Sequence, residues 1–214
     1  MTDLPDWQII SGDALEVIPT LSAFSFDAVI TDPNYGIGAG EMNLGFSQSS
    51  RMEKSDWDSE PPSPELLSTI RSLAPTVVIW GGNYFSLPPT RGFLIWDKGA
   101  GFKDRSFSEC EYAWTNLDMP ARIYHRDPLA RGDYANRIHK TQKPLALMLW
   151  VIETCTNPGD LVLDPFCGSA TTGAACLLRG RRFVGIEKDH QMAEKAALRL
   201  TKAAEEGQQL KLVF

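Results

Sequence analysis

Seven short apolar runs, separated by stretches with helical spacing, leave few folds open to this chain. The runs are Trp7–Ile10, Phe26–Thr31, Thr76–Trp80, Phe93–Trp96, Glu111–Trp114, Leu161–Asp164 and Phe183–Glu187. Most are continuously apolar rather than alternating, the pattern of strands covered on both faces. Pro64–Leu73, Lys143–Thr154, Ala170–Arg179 and Asp189–Ala204 carry apolar residues at helical spacing. Ser63 precedes Pro64, an N-cap followed by proline at the first helical position. Strands alternating with helices predict an α/β fold with a mostly parallel sheet. At 214 residues the chain suits one domain with a sizeable core. Gly36–Glu60 and Asn116–His139 read as long loops, which tend to be functional or mobile when they lack regular structure.

Composition removes several function classes. A chain with 43% hydrophobic and 22% charged residues is globular, not disordered. Its four cysteines include no CxxC pair and its three histidines are scattered, so neither a zinc site nor a disulfide framework is expected. The N-terminus lacks a basic segment followed by an apolar one, and no run reaches 18 apolar residues. The expected compartment is therefore the cytoplasm, with no membrane partner. The net charge of −6 argues against a passive nucleic-acid coat. Residues 1–90 hold 3 basic and 12 acidic side chains, whereas residues 91–143 hold 10 and 7. A polyanion would meet the middle of the chain.

Two constellations carry chemistry. Asp164-Pro165-Phe166-Cys167-Gly168-Ser169-Ala170-Thr171-Thr172-Gly173 follows one strand and opens a helix. Small residues there let a ligand approach the outward N–H groups of the helix start. The next strand ends at Glu187, where an acidic residue commonly holds ribose hydroxyls. The pattern is not GxGxxG, which disfavours a nicotinamide-dependent dehydrogenase. The second constellation, Asp32-Pro33-Asn34-Tyr35-Gly36, follows the strand Phe26–Thr31, and strand carboxyl ends are where α/β sheets place their sites. By itself it also reads as an Asp-Pro turn with Tyr35 in the core.

In this order, DPNYG, KTQKP (Lys140–Pro144) and DPFCGSATTG resemble the S-adenosylmethionine-dependent methyltransferases that modify exocyclic amino groups of DNA bases. The order is that of the β class, in which the catalytic tetrapeptide precedes the cofactor loop. Ser11-Gly12-Asp13-Ala14-Leu15 resembles the adenine-binding strand end, and Trp80–Asn83 and Trp96–Lys98 the middle segments. The resemblance implies one Rossmann-like methyltransferase domain over 1–214, with a seven-stranded sheet containing one antiparallel strand. It implies a mobile substrate loop at 36–60 and a short target-recognition insertion at 115–139. S-adenosylmethionine would be held by Asp13, Ala14, Lys140, Thr141, Asp164, Phe166, Gly168, Ser169, Ala170, Thr171 and Glu187. No metal is implied. Two positions depart from the usual pattern. Asn34 stands where a second proline is common, and Ala170 where the cofactor loop usually has glycine.

The implied activity is methylation of adenine N6 in double-stranded DNA. An amino nitrogen conjugated with its ring is a poor nucleophile. Asp32 and the Pro33 carbonyl, accepting its two N–H bonds, favour a tetrahedral nitrogen aimed at the methyl group. A base inside the duplex must be flipped, at a cost of about a few kcal/mol. Tyr35 would stack on it, worth roughly 1–3 kcal/mol, so the catalytic set is Asp32, Pro33, Asn34 and Tyr35. Arg122, Arg126, Arg131 and Arg137 suit phosphate or guanine contacts, and Tyr124 and His125 could stack or insert. Trp57-Asp58 could close over the flipped base. The alternatives are cytosine-N4 methylation, action on RNA or a free base, and a decayed methylase that only binds. A homodimer sharing DNA contacts follows by analogy alone.

Overall fold

The computed structural model describes residues 5–37, 60–102, 108–128 and 142–213. Its strands are β1 (Trp7–Ser11), β2 (Ala28–Thr31), β3 (Thr76–Trp80), β4 (Phe93–Asp97), β5 (Cys110–Thr115), β6 (Arg122–His125), β7 (Leu161–Asp164) and β8 (Arg182–Glu187). They form one sheet in the order β1-β8-β7-β2-β3-β5-β4-β6. All pairs are parallel except those of β5 with β3 and β4. This is the Rossmann-like arrangement expected, with eight strands in place of seven. The added strand, β6, lies inside the stretch read as a loop. It pairs only with β4 at the sheet edge, and Arg122, Ile123 and His125 are exposed. An edge strand needs no apolar run, so its sequence carries no strand signal.

The helices are α1 (Ala14–Val17), α2 (Pro64–Ser72), α3 (Leu145–Cys155), α4 (Thr171–Leu178) and α5 (His190–Val213). Four residues are too few for periodicity to show, so α1 is invisible in the sequence. The Ser63 hydroxyl accepts from Leu66 N at 3.2 Å, the N-cap expected for α2. Alternate side chains of the central strands feed two cores. Ala28, Ile30, Val78 and Trp80 pack with α3, α4 and α5, and Val29, Val77 and Ile79 pack with α2 and the α1 turn. Continuously apolar strands are thus buried on both faces.

The topology fixes where a ligand can sit. From β7 the chain crosses to β8 over one face, and from β2 it crosses to β3 over the other. The order therefore reverses between the paired strands β7 and β2. In open α/β sheets the ligand crevice lies beyond the carboxyl ends at such a point. Asp164 and Asp32 stand there, each at the end of one of these strands.

Candidate active site

The β7–α4 turn brings backbone close to open space. A Cβ added at Gly168, where φ is +49°, would meet nothing within 4 Å. Glu187 spans the loop from the next strand: Oε2 accepts from Gly168 N at 2.9 Å and Oε1 from Asp189 N at 2.8 Å. Burial pushes the Glu187 carboxyl up, against these backbone donors. Ser11 lies opposite Glu187 in the β1–β8 register, so Asp13 reaches the same edge. Asp13 caps α1 by accepting from Leu15 N at 2.9 Å and pairs with Lys188 at 2.8 Å. Its carboxyl is lowered by Lys188 first and the Leu15 N–H second. Ala14 is buried beneath this turn, and Phe166 is half-buried beside the loop.

Three of the loop residues act inward. Asp164 is 2% exposed, and its carboxylate accepts from Thr31 Oγ1 (2.7 Å), Phe166 N (3.1 Å) and Thr172 Oγ1 (2.9 Å). Burial pushes it up to about 7 despite these donors. Ser169 and Thr171 are also buried, and Arg199 of α5 donates to the Ser169 carbonyl at 3.1 Å and to Thr171 Oγ1 at 2.8 Å. Desolvation lowers Arg199 to about 10. These side chains build the loop that presents Gly168.

Ala170, the N-cap of α4, sits at φ 53°, ψ 42°. The left-handed region costs an L-residue roughly 1–2 kcal/mol. Ala170→Gly should therefore raise stability by about 1 kcal/mol, partly offset by the greater freedom of glycine in the unfolded chain. Urea denaturation measures this, and a variant less stable than the parent would contradict the strain.

Across the reversal point lies a second cluster. Asp32 Oδ1 accepts from the Tyr35 hydroxyl at 2.6 Å, and Oδ2 accepts from Lys143 Nζ at 2.6 Å. Lys143, 7% exposed, also reaches Glu111 Oε2 at 3.0 Å and the Tyr35 oxygen at 3.3 Å. Lys98 pairs with Glu111 Oε1 at 2.8 Å. Burial alone would push Glu111 up, but Lys143 and Lys98 together bring it down to about 2. Burial lowers Lys143, and Asp32 and Glu111 more than offset this, so it is raised. The Tyr35 hydroxyl is pushed far up by burial and by the Asp32 and Glu111 charges. Tyr84 lies parallel to Tyr35 with centroids 4.9 Å apart, and the Lys143 ammonium is 4.9 Å from the Trp80 ring centroid. Gly81, at φ +70°, lets the backbone pass against the Tyr35 ring, where any Cβ would collide.

A loop with open space at a helix start, facing a hydrogen-bonded aspartate across the reversal point, suits group transfer between two bound molecules. Comparison with known proteins specifies the group. The DNA methylase family that acts at N6 and N4 positions matches residues 95–198. That match spans just under half of the chain. The chain is 27% identical over 94% of its length, and 94% of the other's, to YubD of Escherichia coli (strain K12), a protein with a methylase name. Over 41% of this chain and 27% of the relative it is 47% identical to the DNA adenine methyltransferase YhdJ of the same organism. The crystal structure of an M1.HpyAVI–SAM complex superposes with a TM-score of 0.62 at 25% identity, covering 91% of this chain and 98% of that one. The PvuII cytosine-N4-specific DNA methyltransferase shares the fold at TM-score 0.59 and 17% identity, over 96% and 92%.

The M1.HpyAVI structure holds SAM, a molecule whose sulfonium supplies an electrophilic methyl group. The edge of β7, β8 and β1 fits such a molecule: it offers open space at Gly168 and the carboxylates of Glu187 and Asp13 on one side. Lys140 and Thr141 lie outside the described residues, as do Arg131, Arg137, Trp57, Asp58 and nearly all of 36–60. Arg122 opens β6 at the amino-terminal edge of the sheet, away from Asp32, whereas Arg126 follows the carboxyl end of that strand. Tyr124 stacks on Trp150 with centroids 5.1 Å apart, so its ring is spent on packing. His125 meets Asp97 at 3.2 Å. Sequence reasoning missed Lys143, Glu111, Lys98, Tyr84 and Arg199. The signal available was a lysine directly before the proline that precedes an apolar helix. Among the described residues no metal-ligand cluster occurs and no helix is long and apolar enough to cross a membrane.

Proposed function

We propose that the chain methylates adenine N6 in double-stranded DNA, on a base flipped into the crevice between Asp32 and the Gly168 loop. The observation that carries this reading is the position of Asp32. It directly follows β2 at the order reversal, beside the β7 loop, with its carboxylate fixed by Lys143 and Tyr35. Each of its oxygens keeps a lone-pair direction for an incoming amino group. The Pro33 carbonyl is assigned to the second N–H of that group. Adenine is favoured over cytosine by the aspartate at the first tetrapeptide position and by the 47% identity to an adenine methyltransferase. A base stacking on the Tyr35 face that Tyr84 covers must displace Tyr84, which is 42% exposed. DNA contact is assigned to Arg126 and to the basic segment that follows it. The test is to supply labelled S-adenosylmethionine and unmodified genomic DNA, then digest to nucleosides. Label in N6-methyladenine is expected; label only in N4-methylcytosine, or none, overturns the reading.

Asp13 and Glu187 are assigned to the donor's adenine amino group and ribose hydroxyls. A hydrogen bond from a neutral donor to a carboxylate contributes about 1.5–3 kcal/mol. Asp13→Ala and Glu187→Ala should each weaken S-adenosylmethionine roughly ten- to a hundred-fold. Calorimetric titration, with circular dichroism as the folding control, decides. Wild-type affinity in Asp13→Ala alone would remove β1 from the pocket.

A further inference from the structure

We propose that Lys143 and Glu111 form a positioning pair for the transfer step, in which Lys143 orients the Asp32 carboxylate while Glu111 offsets part of the lysine's charge at the reacting nitrogen. This rests on the reading of Asp32 as acceptor for the target amino group.

The geometry assigns every ammonium donor. Lys143 has three N–H bonds and three oxygen partners: Asp32 Oδ2 (2.6 Å), Glu111 Oε2 (3.0 Å) and the Tyr35 oxygen (3.3 Å). With the Tyr35 hydroxyl on Oδ1, the carboxylate is held at both oxygens and cannot rotate. That suits a group whose lone pairs must be aimed before the base arrives.

Orientation by a cation has an electrostatic cost. As nitrogen attacks the donor methyl, positive charge grows on nitrogen. A lysine almost against Asp32 would weaken the carboxylate's field at that atom. Glu111 lessens this conflict. It lies on β5, the antiparallel strand, and meets Lys143 at 3.0 Å, while Lys98, directly after β4, closes the series at 2.8 Å. Charges alternate Lys98, Glu111, Lys143, Asp32, so the lysine's field at the reacting nitrogen is weaker than that of an unpaired ammonium and Asp32 keeps more of its effect. Among the described residues Asp164 also lies near enough for its carboxyl to feel the Asp32 charge.

Charge compensation and mere structural support predict different double-variant behaviour. Glu111→Gln keeps shape and unmasks the lysine. Its kcat on unmodified genomic DNA, counting any methylated base, should fall about 10- to 100-fold, or roughly 1.4–2.7 kcal/mol. Its affinity for S-adenosylmethionine should stay within a few-fold of the parent. Adding Lys143→Met removes the unmatched cation, so Glu111→Gln/Lys143→Met should turn over faster than Glu111→Gln alone. A structural pair would make the double variant equal or slower, and that result overturns the proposal. So does parental kcat in Glu111→Gln. Should Glu111→Gln fail to fold, the double variant is compared with Lys143→Met, and a double variant slower than that single overturns it too. An Asp32→Ala control separates the two ideas: activity retained there refutes the acceptor reading itself, whereas activity lost there but kept in Glu111→Gln refutes only the pair.

Discussion

Asp32→Ala is expected to lower turnover by about a thousand-fold or more, by analogy with removal of a preorganised group aimed at developing charge. The affinity for S-adenosylmethionine should change little. Asp32 stands at the end of β2, and its partners are Tyr35 and Lys143, not the Gly168 loop. Folding should survive, because Lys143 retains Glu111 as a partner at 3.0 Å and the Asp32 side chain is 31% exposed. Single-turnover kinetics with cofactor and DNA both saturating read the chemical step directly. A variant with near-parental turnover would mean that the amino group is held elsewhere. A variant that loses cofactor affinity in parallel would mean that the two halves of the crevice are not separate.

The second large effect concerns stability. Asp164 anchors three donors from three places: Thr31 at the end of β2, Phe166 in the loop and Thr172 in α4. Asp164→Ala strands all three in the interior, and each buried unsatisfied group costs about 1–3 kcal/mol. A loss of about 3 kcal/mol or more in urea denaturation is therefore expected. The pH dependence carries an independent sign. The folded pKa of Asp164 is raised to about 7 by burial, above an unfolded value near 4. A raised group gives stability that is complete below the unfolded value and is lost as pH rises through the folded one. The parent should thus lose a few kcal/mol between about pH 4 and pH 7 from this residue. Asp164→Asn removes that loss, so its stability relative to the parent should rise with pH across this window. Glu187 is also raised and acts in the same direction, but it is common to both proteins. Glu111 is lowered to about 2 and acts only at lower pH. An unchanged slope in Asp164→Asn would place the titrating group elsewhere.

The strand runs were legible because a sheet covered on both faces must be built from continuous apolar residues, and all seven runs are strands. β6 was not, because an exposed edge strand can alternate Arg122, Tyr124 and His125 without penalty. Motif residues were legible for a similar reason: Gly168 and Gly81 meet backbone demands that other residues would fail. Side-chain direction was not legible. Asp164, Ser169 and Thr171 belong to the motif expected to hold the cofactor, and their side chains are buried and bonded within the loop and to α5.

By itself the sequence determined the α/β class, the resemblance to DNA amino-methyltransferases and the two strand ends where chemistry is expected, since each depends on residues close together in the chain. Only the tertiary structure decided what surrounds Asp32. Lys143 precedes α3, Glu111 lies on β5, Lys98 follows β4, and each looks like an ordinary surface charge along the chain. An ion pair depends on distances of a few Å and on exclusion of water. Both arise only when the sheet sets these elements side by side and the buried Trp80 ring closes over the ammonium.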